Sequence, residues 1–316
     1  MDLPEHVTPA AQATRRIGFI GLGAMGGPIA RHLCKAGYRV VGFDLNRAAL
    51  ERLEQAGGTA APHAAGAAGG ADLLVVMVVN GGQAEAVLFG EGGAAAALPR
   101  GATVILSSTL PPDHAAAIAL RLEGMGLLML DAPVSGGVTG AEAGTLTVIA
   151  SGSDAAYEAA APAIRAYSGQ LYRVGDRAGQ GSTVKLVNQL LTATHIALTA
   201  EALALGARAG VDPTLLYDVV AHSAGRSFQF EKRAPRMIAG DHEPQSRVDI
   251  FLKDLSIALD AARGLNAPVP IAAAAHQVFT MAAGAGLGPK SDTEVLRVYE
   301  SFGAVDVAEL ARRAKA

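Results

Sequence analysis

Through the first half of the chain, short apolar runs alternate with stretches whose apolar positions recur at helical spacing. RRIGFI, starting near Arg16, is strand-compatible, GLGAMGG supplies a turn, and PIARHLCKAG is a helix closed by Gly37. YRVVGFD is a second strand ending on Asp44, and NRAALERLEQAG a second helix, with Asn46 as N-cap and Gly57 as stop. ADLLVVMVV, ATVILSS, GLLMLD and TLTVIASG repeat the strand signature, Asp154 to about Tyr167 is a helix, and LYRVG is the last strand-like run, near Val174. Such alternation specifies an α/β fold with a doubly wound parallel sheet.

From Gly179 the pattern changes to helical periods punctuated by Gly and Pro: STVKLVNQLLTATHIALTAEALALGARAG, DPTLLYDVVAHSAG, SRVDIFLKDLSIALDAARG and VPIAAAAHQVFTMAAGAG. The first of these is about 45 Å long if unbroken at 1.5 Å per residue, enough to bridge two domains. The expected organisation is a flexible N-terminus at residues 1–15, a sheet domain at 16–178 and an all-α domain at 179–316, with a cleft between the two domains.

Composition narrows the function classes. A chain of 316 residues exceeds the size at which one core usually splits. It is 50% hydrophobic and 17% charged, too apolar for disorder, yet it has no charge-free run of eighteen apolar residues. A formal net charge of -3 leaves no basic surplus to neutralise phosphates or hold an anionic membrane, so neither nucleic acid nor membrane is an expected partner. The single cysteine, Cys34, cannot form an intramolecular disulfide, and the first fifteen residues lack a secretory apolar stretch, which points to the cytoplasm. Cys34 itself reads as a small buried hydrophobe, and the eight histidines lack paired metal-ligand spacing, so no metal site is expected. The apolar helical half favours self-association as a homodimer or homotetramer.

Candidate chemistry begins at the first turn. Gly21, Gly23 and Gly26 form G-x-G-x-x-G directly after a strand and at the opening of a helix, the context in which that pattern marks a Rossmann-type dinucleotide site. The first glycine permits the tight turn, the second lets backbone approach a pyrophosphate, and the third lets helix and strand pack closely. The whole turn, Gly21, Leu22, Gly23, Ala24, Met25 and Gly26, is therefore assigned to the cofactor, with the helix N-terminus facing its phosphates. Asp44, at the end of the second strand, is placed to accept hydrogen bonds from both ribose hydroxyls and to repel a 2′-phosphate, favouring NAD over NADP. Arg47 is the residue that pairs with a 2′-phosphate if NADP is used, and otherwise a solvated charge at a helix start.

Four separated motifs, GFIGLGAMGGPIA, DAPVSGG, GQGSTVKLVNQ and FLKDL, resemble those of the β-hydroxyacid dehydrogenase family, which includes 3-hydroxyisobutyrate dehydrogenase and tartronate semialdehyde reductase. The resemblance spans Gly18 to Leu255 and implies NAD-dependent oxidation of a small hydroxy carboxylic acid, with Lys185 as general acid/base. A lysine suits that role when burial and a cationic nicotinamide lower its pKa. Asn188 and Gln189 lie three and four positions further on, on the lysine's helical face, where an amide binds a substrate hydroxyl or simply packs against a neighbouring helix. The family often has asparagine where this chain has Gln189, so which amide meets substrate stays open. Ser135, Gly136 and Gly137 are implied to hold the substrate carboxylate and Thr109 and Lys253 to contact the cofactor, while Asp254 supports Lys253; Asn80 ends another sheet strand, where the family often carries a different residue, and from that position is assigned to the cofactor's ribose or nicotinamide. Arg226 and Phe228 fall in an expected loop lining the substrate pocket, and His195 lies off the lysine's face.

Three readings follow: oxidation of a three- or four-carbon hydroxy acid of the aldonate kind, reduction of small aldehyde acids such as tartronate, glyoxylate or succinic semialdehyde (or use of 3-hydroxyisobutyrate) at the same site, and a cofactor-sensing scaffold without chemistry. Loss of the lysine or of the glycine fingerprint would mark the last, and both are present.

Overall fold

A computed structural model describes residues 15–303 and 305–315; apart from Arg15, the expected N-terminal extension lies outside the described residues. The strands are β1 (Arg16–Ile20), β2 (Arg39–Phe43), β3 (Thr59–Ala60), β4 (Leu73–Val76), β5 (Thr103–Leu106), β6 (Leu128–Asp131), β7 (Val134–Ser135), β8 (Leu146–Ser151) and β9 (Ser168–Gly175). Among them run helices α1 (Gly26–Lys35), α2 (Arg47–Gln55), α3 (Ala64–Ala68), α4 (Gly81–Phe89), α5 (Pro112–Gly124), α6 (Gly137–Ala143) and α7 (Asp154–Ile164). The remainder is helical: α8 (Gln180–Arg208), α9 (Pro213–Ala221), α10 (Phe228–Ala239), α11 (Val248–Gly264), α12 (Pro270–Ala282), α13 (Leu296–Gly303) and α14 (Val307–Lys315). The chain divides into two compact units, Met1–Lys185 and Leu186–Ala316, so the division falls inside α8, whereas the sequence pattern placed it just before that helix.

In the first unit the sheet order is β3-β2-β1-β4-β5-β6-β8-β7, with β9 beside β8. From β3 to β6 every pairing is parallel, whereas β8 runs antiparallel to β6 and β7, and β9 parallel to β8. The sheet is thus parallel through its nucleotide-binding half and mixed beyond β6. β6 and β7 both run antiparallel to β8, so the chain keeps its direction through DAPVS and reverses across the short helix α6 before β8.

Alternate residues of the central strands enter separate cores. Ile17, Phe19, Leu73, Val75 and Ile105 belong to one, and Ile20, Leu74, Val76, Val104 and Leu106 to the other. Burial on both faces is why these strands read as unbroken apolar runs rather than alternating ones. The second unit closes a core of its own around Ile196, Leu203, Phe230, Phe251, Leu255 and Phe279.

HSAGRSFQFEKR does not stay a loop. The Ser227 hydroxyl accepts from the Phe230 N–H at 3.1 Å and starts α10, so Arg226 precedes the helix and Phe228 occupies its first turn. By length and composition α8 is the one described helix able to cross a membrane, a test that core helices also pass; its Lys185 and Gln189 are each only 7% exposed within the protein. Cys34 is half-buried, and burial pushes its thiol up, away from reactivity.

Phe19, with no exposed surface, anchors the first core on β1. Phe19→Ala is expected to cost about 3–5 kcal/mol of stability in denaturant titration; a loss below about 1 kcal/mol would show that this core is not close-packed there.

Candidate active site

Parallel pairing from β3 to β6 puts every carboxyl end on one edge, and the strand order reverses between β1 and β4. Ligands of open α/β sheets bind outside that edge at such a switch point. The chain delivers Asp44 after β2, the glycine turn after β1, Asn80 after β4, Thr109 after β5 and Ser135 after β6 to this edge.

The turn is held by backbone geometry. Gly21 has φ +92° and donates its N–H to the Phe43 carbonyl at 3.0 Å; a Cβ there would strike the Met77 carbonyl oxygen, and one at Gly26 the Gly21 carbonyl oxygen. Gly23, flanked by Leu22 and Ala24, faces open space. Met25, at the N-cap of α1, provides no side-chain cap, and the first turn carries no acidic residue, so its N–H groups and dipole are left to an anion. Asp44 is tied to the turn: its Oδ2 accepts from the Leu22 N–H at 2.6 Å and its Oδ1 from the Asn46 N–H at 2.7 Å. Arg47 stands in solvent, paired with Glu51 at 3.1 Å. These groups fit a dinucleotide: an open glycine face and an uncapped helix end for phosphates, and a fixed carboxylate for ribose hydroxyls.

Asn80 caps α4, its side-chain oxygen accepting from the Gln83 N–H at 2.9 Å, a local structural task that asparagine commonly performs before a helix. Thr109 is half-buried in the loop after β5. Ser135 lies in β7 opposite Thr147, and exposed Gly136 and Gly137, with φ of +130° and +63°, open α6. Lys185 is nine-tenths buried in α8. The helix starts at the sheet edge, because Asp131 at the end of β6 bonds the backbone of both Gly179 and Ser182. Sequence reasoning passed over Asp131; its position at the head of DAPVSGG was visible, but its partners are 48 and 51 residues away.

Within the second unit, side chains of α8 and α11 form a polar chain. Asn188 Nδ2 donates to Gln189 Oε1 at 3.1 Å, Gln189 Nε2 donates to Asp254 Oδ2 at 2.5 Å, and Lys253 Nζ pairs with Asp254 Oδ1 at 2.7 Å. Asp254 is 1% exposed, so both its donors compensate a buried charge. Gln189 is thereby committed to Asp254, and half-buried Asn188 is the more accessible amide. Among the described residues no group of three or more His, Cys, Asp or Glu is placed to hold a metal ion.

A glycine-turn α/β domain followed by a helical unit defines a two-domain, nicotinamide-dinucleotide-dependent dehydrogenase. Comparison with known proteins agrees. Residues 16–175 match the NAD-binding domain of 6-phosphogluconate dehydrogenase, and residues 179–299 match the NAD-binding region of NADP-dependent 3-hydroxyisobutyrate dehydrogenase. The L-threonate dehydrogenase of Cupriavidus necator is 49% identical over 286 residues, covering 90% of this chain and 96% of its own. That of Escherichia coli K12 is 46% identical, covering 90% and 95%. A crystal structure of 3-hydroxyisobutyrate dehydrogenase from Salmonella typhimurium superposes with a TM-score of 0.85 at 44% identity, covering 90% and 99%. The chain belongs to the β-hydroxyacid dehydrogenase family, of the 3-hydroxyisobutyrate dehydrogenase-like type. It is an NAD-dependent oxidoreductase acting on the CH–OH group of a small hydroxy acid.

Gly26→Ala forces the turn to move, and NADH fluorescence titration is expected to weaken by about tenfold or more, 1.4 kcal/mol per decade. Unchanged affinity would detach the turn from the cofactor.

Proposed function

We propose that this enzyme oxidises L-threonate to 2-oxo-tetronate, with Lys185 as the proton-transfer residue. The carrying observation is the position of Lys185, nine-tenths buried and one turn beyond the point where α8 is hydrogen-bonded to the carboxyl end of β6. Its neutral amine takes the proton of the substrate alcohol, and in the reverse direction its ammonium returns it. When bound, the nicotinamide supplies the acceptor for the hydride of the alcohol carbon. The Ser135 hydroxyl and the N–H groups of Gly136 and Gly137 hold the substrate carboxylate, and the Asn188 amide a substrate hydroxyl, with Gln189 keeping Asp254 and Lys253 in register. Lys253 and Thr109 serve the cofactor, as does Asn80 through its amide nitrogen.

The substrate assignment follows relatives named L-threonate dehydrogenase at 44–49% identity. NAD is preferred to NADP because the fixed Asp44 carboxylate repels a 2′-phosphate. A family region matched at 179–299 is described for an NADP-dependent enzyme, so both cofactors belong in the test. We also infer a cytoplasmic homodimer or homotetramer: Val184, Val187, Leu191, Leu198 and Leu205 recur at helical spacing on α8 and are 42–70% exposed. A monomer by light scattering contradicts that last inference.

Lys185→Ala is expected to fold and bind NADH but to lose about 10²- to 10⁴-fold in kcat; near-normal turnover removes the lysine from the chemistry. Steady-state rates with NAD and NADP across threonate, erythronate, glycerate and 3-hydroxyisobutyrate stereoisomers are expected to peak with L-threonate and NAD. A peak on 3-hydroxyisobutyrate, or on an aldehyde acid in the reducing direction, replaces the substrate assignment.

A further inference from the structure

The carboxyl group of Asp131 has no exposed surface. Its Oδ2 accepts from the N–H of Gly179 at 2.9 Å, the N–H of Ser182 at 2.8 Å and the Ser151 hydroxyl at 3.3 Å, and its Oδ1 accepts from the Ser182 hydroxyl at 2.8 Å. The Ser151 oxygen accepts the Gly181 N–H at 2.8 Å, and the Gln180 N–H reaches the Arg177 carbonyl at 3.4 Å. These are the four N–H groups at the start of α8 that lack an acceptor within the helix. Three of the four are held by side chains carried on β6 and β8. Position 179, where serine, threonine or aspartate ordinarily caps, is a glycine with φ +96°.

The fit is close. A Cβ at Gly181 would stand 2.7 Å from the Ile149 carbonyl oxygen and 2.9 Å from that of Asp131, so the first turn packs backbone to backbone on the strand ends. Burial pushes the Asp131 carboxyl above its ordinary range, against the pull of the hydrogen bonds from Ser182, Gly179 and Ser151. A local serine would satisfy one of these N–H groups and leave the others to water, without burying an ionisable group. What a local cap cannot do is fix the rotation and depth of the helix against the sheet.

We propose that Asp131 is a positioning residue for the reaction, setting the first turn of α8 and thereby placing the amine of Lys185, three residues beyond Ser182. The proposal rests on Lys185 being the proton-transfer residue. A helix released from this clamp turns or slides, and a slip of one residue's rise, about 1.5 Å, is enough to misplace a reacting group.

The test compares two substitutions at this position. Asp131→Ala removes every acceptor, whereas Asp131→Asn keeps one oxygen for the N–H groups of Gly179 and Ser182 and offers its NH2 to the Ser182 hydroxyl. The alanine variant is expected to lose about 10²-fold in kcat while KM for NAD stays within about threefold, and asparagine to recover activity to within about tenfold of wild type. Amide hydrogen exchange over residues 179–185 is expected to accelerate strongly in the alanine variant and weakly in the asparagine one. Wild-type kcat per NADH-binding site in Asp131→Ala overturns the proposal, with or without faster exchange. If the alanine variant does not fold, the Asp131→Asn, Ser151→Ala double variant decides: it removes the acceptor for Gly181 and a donor to position 131 along with the carboxylate charge, is expected to fall more than tenfold in kcat, and wild-type kcat there is equally fatal. Lys185→Ala measured alongside separates the two ideas. An active lysine variant removes the role of Lys185 whatever Asp131 does, whereas an inactive one beside a fully active Asp131→Ala removes only the clamp.

Discussion

A carboxylate stripped of water needs donors, and the start of a helix needs acceptors; Asp131 and the first turn of α8 meet both needs at once. Exchanging these unmet groups ties the carboxyl end of β6 to a helix of 29 residues, in the segment that carries Lys185. A surface cap would be worth about 0.5–2 kcal/mol and would leave the helix free to rotate. A buried, multiply bonded one defines a single orientation, because any rotation strands a polar group inside the protein.

The sheet supplies the other half of the arrangement. Its strands are buried on both faces, so the loops at the carboxyl edge start from strand ends fixed by packing on either side. The glycine turn shows the consequence at atomic scale: Gly21 and Gly26 touch backbone carbonyls closely enough to exclude any side chain, while Gly23 faces open space. Asp44 adds a lock between this turn and the end of β2 through the Leu22 N–H, so the carboxylate and the amides of the glycine turn are held in one arrangement.

In the second unit a different device keeps charge inside. Asp254 is almost wholly buried and is compensated by the Lys253 ammonium and the Gln189 amide, which together replace the water it has lost. That pairing gives Gln189 a structural reason to be where it is, and leaves Asn188 as the more accessible of the two amides.

Local pattern was enough to read the α/β alternation, the glycine turn, Asp44 at its strand end and the long helix bearing Lys185, because each depends on residues a few positions apart whose period or turn chemistry is written in the chain. Ser227 as a cap for α10 and Asn80 as a cap for α4 were equally local, each accepting from the N–H three residues on. The antiparallel turn-back of β8, the commitment of Gln189 to Asp254 and the clamp of Asp131 on α8 were decided only by tertiary structure. Most of these pair groups far apart along the chain, and what selects them is burial. A polar group becomes costly only once water has been removed around it, and which groups lose their water is settled by the packed fold rather than by neighbours in sequence.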